Sequence, residues 1–347
     1  MSWQRSALRL KIRKKAPPGR WKNKQLTMNL RSFLFPFIAF TLLLNACGDR
    51  KDPEKEKEKE KEKPVSRHPA PAFNADSCYA FVKAQVDFGP RVPLKDAHRH
   101  CGDWIVSKLR AYGLEVTEQK GSMITYDDKS TPLRNIIASY KPESQKRILL
   151  CTHWDTRPMA DRDTRDTDSP IDGASDGASG VAVLLELARQ LKAGNCDAGI
   201  DLVFFDLEDY GDKFCLGSEY WAQHLPRPDY YANFGILLDM VGAKDAMFPI
   251  EGQSRNYASA IVKKVWDKGA SLGYSDYFSY AEMHAITDDH VNVNMIANIP
   301  CIDIIQMNPQ TGDFGPYHHR HSDNLGVIDR HTLQAVGHTL AEVIYSE

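Results

Sequence analysis

The stretch Asp201-Leu202-Val203-Phe204-Phe205-Asp206-Leu207-Glu208-Asp209 passes from an unbroken apolar run into three acids within four residues. A run that is apolar at consecutive positions suits a strand covered on both faces of a sheet, whereas a half-exposed strand would alternate. The acids then fall where the strand ends. Four more runs carry the same apolar signature: Asn135-Ile136-Ile137-Ala138-Ser139-Tyr140, Arg147-Ile148-Leu149-Leu150-Cys151, Gly235-Ile236-Leu237-Leu238 and Cys301-Ile302-Asp303-Ile304-Ile305. Around them lie helical patterns over 75–88, 97–112, 178–192, 257–272 and 332–345, the second stopped by Gly113. Strand alternating with helix predicts an α/β domain of three layers, αβα, with a largely parallel, twisted central sheet. No internal repeat is visible.

In open α/β sheets a ligand site lies beyond the carboxyl ends of the strands, and the chemistry-bearing residues collect there. His153-Trp154-Asp155 follows one predicted strand, Asp206 to Asp209 follow the next, Asp239 ends a third, and His319 sits in the loop after the last. Asp176, inside Gly173-Ala174-Ser175-Asp176-Gly177-Ala178-Ser179-Gly180, comes just before a helix. Separate segments thus deliver His, Asp and Glu to one sheet edge, which is ligand chemistry that zinc prefers. Each residue alone has a plainer reading. Asp176 suits an N-cap, His153 a satisfied structural histidine, Glu208-Asp209 surface charge, Asp239 a loop cap, and His318-His319-Arg320-His321 a polar loop. Their joint order is what points to a site.

That order resembles the zinc-dependent aminopeptidase superfamily, with its phosphorylase/hydrolase-like fold. Over nearly all of 75–347 the chain is similar to the bacterial lipoprotein-type glutaminyl-peptide cyclotransferases. The stretches that carry the likeness are Phe88-Gly89-Pro90-Arg91-Val92-Pro93, His153-Trp154-Asp155-Thr156-Arg157-Pro158, Asp176-Gly177-Ala178-Ser179-Gly180, Phe205-Asp206-Leu207-Glu208-Asp209-Tyr210-Gly211, Leu237-Leu238-Asp239-Met240-Val241-Gly242, Thr287-Asp288-Asp289-His290 and His319-Arg320-His321-Ser322-Asp323-Asn324. The resemblance implies that Asp176, Asp209 and His319 bind one zinc per chain, leaving an open position, with Glu208 as general base and acid. The substrates it implies are peptides or proteins with an N-terminal Gln, whose α-amine attacks its own side-chain amide, releasing ammonia and leaving pyroglutamate. It further implies that Asp239 and Asp288 share a hydrogen bond beside the site.

The alternative comes from the same superfamily. In the related aminopeptidases the positions of His153 and Asp239 complete a second zinc site bridged by the aspartate equivalent to Asp176, so a dinuclear aminopeptidase has its ligands here too. His290 either joins a second metal or orients neighbouring carboxylates. Trp154, Phe214, Phe314 and His318 are candidates for lining the substrate pocket. The chain departs from the family's pattern twice, having Glu208-Asp209 where many members have Glu-Glu, and His318 where a Trp commonly precedes the zinc histidine.

The composition agrees with an exported enzyme. With 347 residues, 42% hydrophobic, seven cysteines and 44 basic against 46 acidic side chains, the chain is neither collagen-like, disordered nor a disulfide scaffold. Residues 1–46 hold ten Lys/Arg and no acid, which leaves the remainder with 34 basic and 46 acidic residues and a net charge of −12. Such a body has no basic stripe for nucleic acid. The lead runs from basic residues through the apolar segment 33–44 to Asn45-Ala46-Cys47-Gly48, the layout of an export signal. Pro36 interrupts that segment, and it is short for a membrane span of ~20 residues. Leu44-Asn45-Ala46-Cys47 resembles a bacterial lipobox, with Cys47 lipidated, and an ordinary secretory signal or a short anchor is the alternative; Met28 is a possible start. Lys51 to Lys63 alternate Lys and Glu and read as a solvated tether, against a single exposed helix. The expected layout is therefore an export lead over 1–46, a lipidated Cys47 and tether over 47–70, and one catalytic domain over 71–347. The product would be a monomer, anchored by lipid to an envelope membrane on its periplasmic or surface side. The remaining cysteines are widely spaced and read mainly as buried thiols. No Gly-x-Ser-x-Gly elbow is present, so nucleophile-type hydrolysis has no support.

Overall fold

The opening stretch supplies a buried strand in the middle of the sheet, seen in a computed structural model that describes residues 68–347. The export lead, Cys47 and the Lys/Glu tether lie outside the described residues. In chain order the strands are β1 (Glu115–Ile124), β2 (Ser130–Tyr140), β3 (Arg147–His153), β4 (Gly199–Phe205), β5 (Phe234–Asp239), β6 (Phe248–Ile250), β7 (Phe278–Glu282) and β8 (Cys301–Ile305). The helices are α1 (Ala75–Asp87), α2 (Asp96–Ala111), α3 (Ala178–Ala193), α4 (Leu216–Gln223), α5 (Gly252–Ser271), α6 (Asp289–Met295) and α7 (Arg330–Tyr345). Six strands form the main sheet in the order β1-β2-β4-β3-β5-β8, and β6 pairs with β7 beside it. The pairs β4–β3, β3–β5 and β5–β8 are parallel, while β1–β2 and β2–β4 are antiparallel, so the sheet is largely parallel with an antiparallel edge.

The central strands read as continuous apolar runs because both faces are covered. Ile148 and Leu150 of β3 and Ile200, Leu202 and Phe204 of β4 join the larger core, beneath α1, α3, α5 and α7. Their neighbours Leu149, Cys151, Val203 and Phe205 face the other way, onto Trp221 and Ala222 of α4 and Val293 of α6. The three predicted layers are therefore present. β1 was not visible in the sequence because it is an edge strand of exposed and half-exposed residues with no apolar run. α3 lies almost completely buried between β3 and its neighbouring helices. Its Gly180 permits that close approach, since a Cβ there would stand 2.2 Å from Thr152 Oγ1 and 2.8 Å from the Leu238 carbonyl oxygen. Cys78, Cys101, Cys151, Cys196, Cys215 and Cys301 are all buried free thiols.

Candidate active site

The carboxyl ends of the parallel strands deliver their polar residues to one cavity of about 390 Å³. His153 is the last residue of β3 and Asp239 the last of β5. Glu208 and Asp209 lie in the loop after β4, Asp176 lies just before α3, and Asp288 caps α6. Asp176, Glu208, Asp239, Asp288, His318 and His319 all line the cavity, with Phe214 and Phe314 at its wall. Leu207, Cys215, Met240 and His319 adopt left-handed backbone with φ of 54°, 60°, 49° and 56°. Non-glycine residues rarely hold that conformation, which costs of order ~1–3 kcal/mol each.

Two groups of donors meet at Asp176. His319 Nε2 stands 3.4 Å from Asp209 Oδ1 and 4.0 Å from Asp176 Oδ2. His153 Nε2 stands 3.0 Å from Asp176 Oδ1 and 3.3 Å from Asp239 Oδ1. A further carboxylate or cation fixes most of these donors from behind. Asp155 accepts hydrogen bonds from the backbone N–H groups of Glu208 and Asp209, both at 3.1 Å, and stands 3.5 Å from His153 Nδ1. Asp323 does the same for Ser175 and Asp176, at 2.8 and 3.1 Å. Asp161 lies 3.3 Å from His319 Nδ1, which turns Nε2 towards Asp209. Arg157, itself buried, donates to Asp209 Oδ1 at 2.7 Å and grips Asp161 through Nε and Nη2. Such outer partners orient metal ligands and tune their basicity.

Zinc fits this donor set. Asp209 Oδ2 is buried with no hydrogen-bond partner, so one ligand atom is unsatisfied by the protein. Burial, despite the nearby Asp176 charge, pushes the His319 imidazole down to about 4, so it is neutral and able to ligate near neutral pH. Burial also raises the Asp176 carboxyl, but the hydrogen bond and charge of His153, with His318 and His319 beside it, more than reverse this and hold it ionised. Two carboxylates and one imidazole make three ligands, which is the count of a catalytic zinc with an open position. His318 lies within ligand reach of Asp176 and His319 as well, and burial with the His319 charge drives its ring down to about 3.

The proton-handling groups are set apart by their surroundings. Glu208 is pushed well above the ordinary carboxylate range by burial, against the pull of His153 and reinforced by Asp209 and Asp288. Asp239 is raised to about 7, again mainly by burial, with Asp176 and Asp288 adding to it and His153 opposing it. Carboxyls displaced in this way inside a cleft are candidates for proton transfer.

One expected pocket residue lies elsewhere. Trp154 does not line the cavity. It is fully buried, stacks on His98 with centroids 4.0 Å apart, and donates from Nε1 to the Arg134 carbonyl oxygen at 3.2 Å. Side chains alternate direction along a strand, so the residue after His153 points into the core. Asp288 Oδ1 accepts from the Asp289 backbone N–H to cap α6, and Asp239 Oδ1 lies 3.3 Å from His153 Nε2. Phe214 stacks parallel to His319 at 6.4 Å, and Phe314 meets His318 edge-on at 4.6 Å.

His290 lies in a buried group that shares Asp288 with the cavity, since ligand atoms of Asp288, His290 and Asp303 lie within 4.8 Å of one another. Its Nε2 lies 3.1 Å from Glu251 Oε2, and its Nδ1 lies 3.8 Å from Asp303 Oδ2. Glu251 also accepts from the backbone N–H groups of Gln253, Ser254 and Ile286. Burial alone would raise the Glu251 carboxyl, but His290 and those N–H groups bring it from 4.5 down to about 2. A carboxyl lowered on folding stabilises above its unfolded pKa and loses that contribution as pH falls through the folded one. Stability is therefore expected to drop by ~3 kcal/mol through this group between about pH 4.5 and pH 2. Urea midpoints taken across that window should fall steeply in the wild type and less steeply in Glu251→Gln. Parallel curves would exclude Glu251 as the source.

Residues 135–344 match the model of peptidase family M28. Among solved structures, Bacteroides thetaiotaomicron glutaminyl cyclase bound to N-acetylhistamine is 48% identical, with a TM-score of 0.78, over 80% of this chain and 99% of that one. A Zn-dependent exopeptidase from Parabacteroides distasonis is also 48% identical, with a TM-score of 0.78, over 80% of this chain and 100% of its own. The aminopeptidase YwaD of Bacillus subtilis is 29% identical over 61% of this chain, which spans only 44% of that protein's length.

Proposed function

The chain belongs to peptidase family M28, and from that premise we propose that it is a glutaminyl cyclase converting an N-terminal Gln of peptides or proteins to pyroglutamate, with release of ammonia. One observation carries this reading. Glu208, Asp239 and Asp288 line one cavity with Asp176 and His319, whose Nε2 stands 3.4 Å from Asp209 Oδ1, and 80% of this chain aligns at 48% identity with 99% of a solved glutaminyl cyclase.

Asp176, Asp209 and His319 would hold one zinc, which supplies Lewis acidity for the γ-amide oxygen of the substrate. The chain's own residues do the rest. The cavity takes the glutamine end with its α-amine beside Glu208. The Glu208 carboxylate accepts a proton from the α-nitrogen as that nitrogen bonds to the δ-carbon. The same carboxyl then returns the proton to the departing amide nitrogen as the carbon–nitrogen bond breaks, so one residue serves as base and then acid. Asp239, at the cavity wall with Oδ1 3.3 Å from His153 Nε2, is an acceptor suited to an N–H of the bound glutamine. Phe214 and Phe314 line the wall of the same cavity.

The rival is a dinuclear aminopeptidase, and one observation favours it: His153, Asp176 and Asp239 also lie within reach of a single ion. The decisive assay is a pair on the purified protein, ammonia release from a Gln-initiated dipeptide and amino-acid release from Leu- or Ala-initiated ones. Cyclisation without amino-acid release is expected, lost with a zinc chelator and restored by about one zinc per chain. Amino-acid release without cyclisation would sink the proposal.

Residues 1–63 support export and lipid attachment at Cys47, so the catalytic domain would work at an envelope membrane as a monomer. Labelling with a radioactive fatty acid should mark the protein, and Cys47→Ala should lose the label and leave the membrane fraction. An unlabelled wild type would exclude the anchor.

A further inference from the structure

The buried thiol of Cys215 lies against the candidate base. Its Sγ stands 3.3 Å from Glu208 Oε1, where the thiol donates to the carboxylate. No reading of the sequence gave this residue a role. Its place is rigidly set: the backbone is left-handed, its N–H donates to the Glu208 carbonyl oxygen at 3.0 Å, and its own carbonyl accepts from Asn292 and Ser218. Asp288 is the third member of the group. A carboxylate oxygen of Glu208, the Cys215 sulfur and an oxygen of Asp288 lie within 4.8 Å of one another. Asp288 is 6% exposed, and its Oδ2 has no hydrogen-bond partner. Both carboxylates face the cavity, so an ion entering it meets them without crossing the core.

We propose that Glu208, Cys215 and Asp288 form a second, inhibitory metal site that takes a thiophilic divalent cation, zinc in excess or cadmium. The chemistry of the donors separates this site from the catalytic one. Asp176, Asp209 and His319 offer oxygen and nitrogen, whereas this group offers a sulfur and two oxygens, and thiolate selects softer ions. Zinc bonds to oxygen and sulfur run ~2.0–2.3 Å, and the 3.3 Å between the Cys215 sulfur and Glu208 Oε1 suits two donors on one ion. Burial raises the thiol well above its ordinary pKa, so it is protonated until an ion arrives. A coordinating thiol loses its proton outright: the S–H bond breaks, a sulfur–metal bond forms, and one proton leaves to solvent. Occupancy takes up the carboxylate that must accept the substrate's proton, so turnover stops while the catalytic metal stays in place. This consequence rests on the proposed function, because it assigns that proton to Glu208.

The test uses the intact zinc-loaded protein titrated with cadmium(II). Three quantities are read: the ultraviolet thiolate-to-cadmium absorption band, the zinc retained by the protein, and ammonia release from a Gln-initiated dipeptide. The band should saturate at one cadmium per chain with zinc retained, turnover should fall in step, and a weak chelator should reverse both. In Cys215→Ser and Cys215→Ala the band should vanish, and half-inhibition should need at least ~10-fold more cadmium relative to each variant's own cadmium-free rate. A band that survives both substitutions belongs to another thiol and overturns the site. Saturation without loss of turnover, loss of zinc in step with cadmium uptake, or unchanged inhibition in the variants overturns it equally. Should neither variant fold, the wild type still decides through stoichiometry, retained zinc and protection of Cys215 from alkylation under denaturing quench. If the protein releases amino acids instead of ammonia, the functional reading fails while the band still reports on the metal site.

Discussion

Glu208→Gln is expected to lower kcat by ~10²–10⁴-fold while KM, zinc content and thermal stability change little. The substitution is nearly isosteric and keeps a side-chain oxygen to accept from the Cys215 thiol. It removes only the ability to take up a proton. Stability should hold or rise, because Glu208 is buried near Asp209, Asp288 and Asp289 and its charge is disfavoured there. A loss of rate then cannot be a loss of fold. Steady-state ammonia release, metal analysis and a melting curve on one preparation separate these effects. A variant retaining more than about a tenth of the wild-type kcat would move the proton to another group, Asp239 or Asp288, since the expected loss is at least ~10²-fold. A variant without zinc would instead place Glu208 among the ligands.

The parts of the fold legible in the sequence were those whose physics is local. β3, β4, β5 and β8 are sealed on both faces, so their apolar runs announce them, and the acids that follow mark where the chain leaves the core. β1 carries no such signal, because an edge strand with exposed faces can be built from Glu115, Thr117, Glu118 and Lys120. The cavity-lining donors were legible for the same reason as the strands: the strand-end rule sends Asp176, Glu208, Asp239 and His319 to one edge. Trp154 was misplaced because nearness in sequence to His153 says nothing of the face on which a side chain emerges.

The buried polar residues Asp303, Glu251 and Cys215 were missed for a different reason. Asp303 is an acid in the centre of an apolar strand and is fully buried, a position that acids rarely occupy without partners. That anomaly was visible in Cys301-Ile302-Asp303-Ile304-Ile305. Glu251 caps the start of α5, and only the tertiary fold brings His290 to it. Cys215 gave no signal at all, since its contact with Glu208 depends on the loop of residues 207–216 closing through the backbone bonds Cys215 N–H to Glu208 and Leu216 N–H to Leu207. First-layer chemistry follows topology, whereas its support depends on how loops close.

Arg157 is such a supporting residue, and Arg157→Leu should have the largest effect on the site of any change outside the cavity lining. Its guanidinium is 1% exposed and joins two halves of the donor set: Nη1 donates to Asp209 Oδ1 at 2.7 Å, while Nη2 and Nε hold Asp161, which stands behind His319. Asp209 is already pushed well above its ordinary range by burial and by the Asp176 charge, and Arg157 is the main cation opposing that push. Without it, Asp209 is left as a buried carboxyl facing Asp176, and Asp161 no longer has a fixed partner. Breaking a buried pair by removing one member costs about 3–5 kcal/mol, because the other charge stays behind unpaired. Leucine fills part of the volume, so the loss should come from electrostatics more than from a cavity. The zinc-free protein should therefore lose most of that stability in urea, and zinc affinity by equilibrium dialysis should fall by at least ~10–100-fold, since the ion must now displace a proton and gather a loosened Asp209 and His319. Saturating zinc should recover part of the stability, because binding to the folded state alone stabilises it by mass action. A variant with unchanged zinc affinity would show that Arg157 serves only the packing around Phe214, whose ring centroid lies 5.3 Å from its guanidinium.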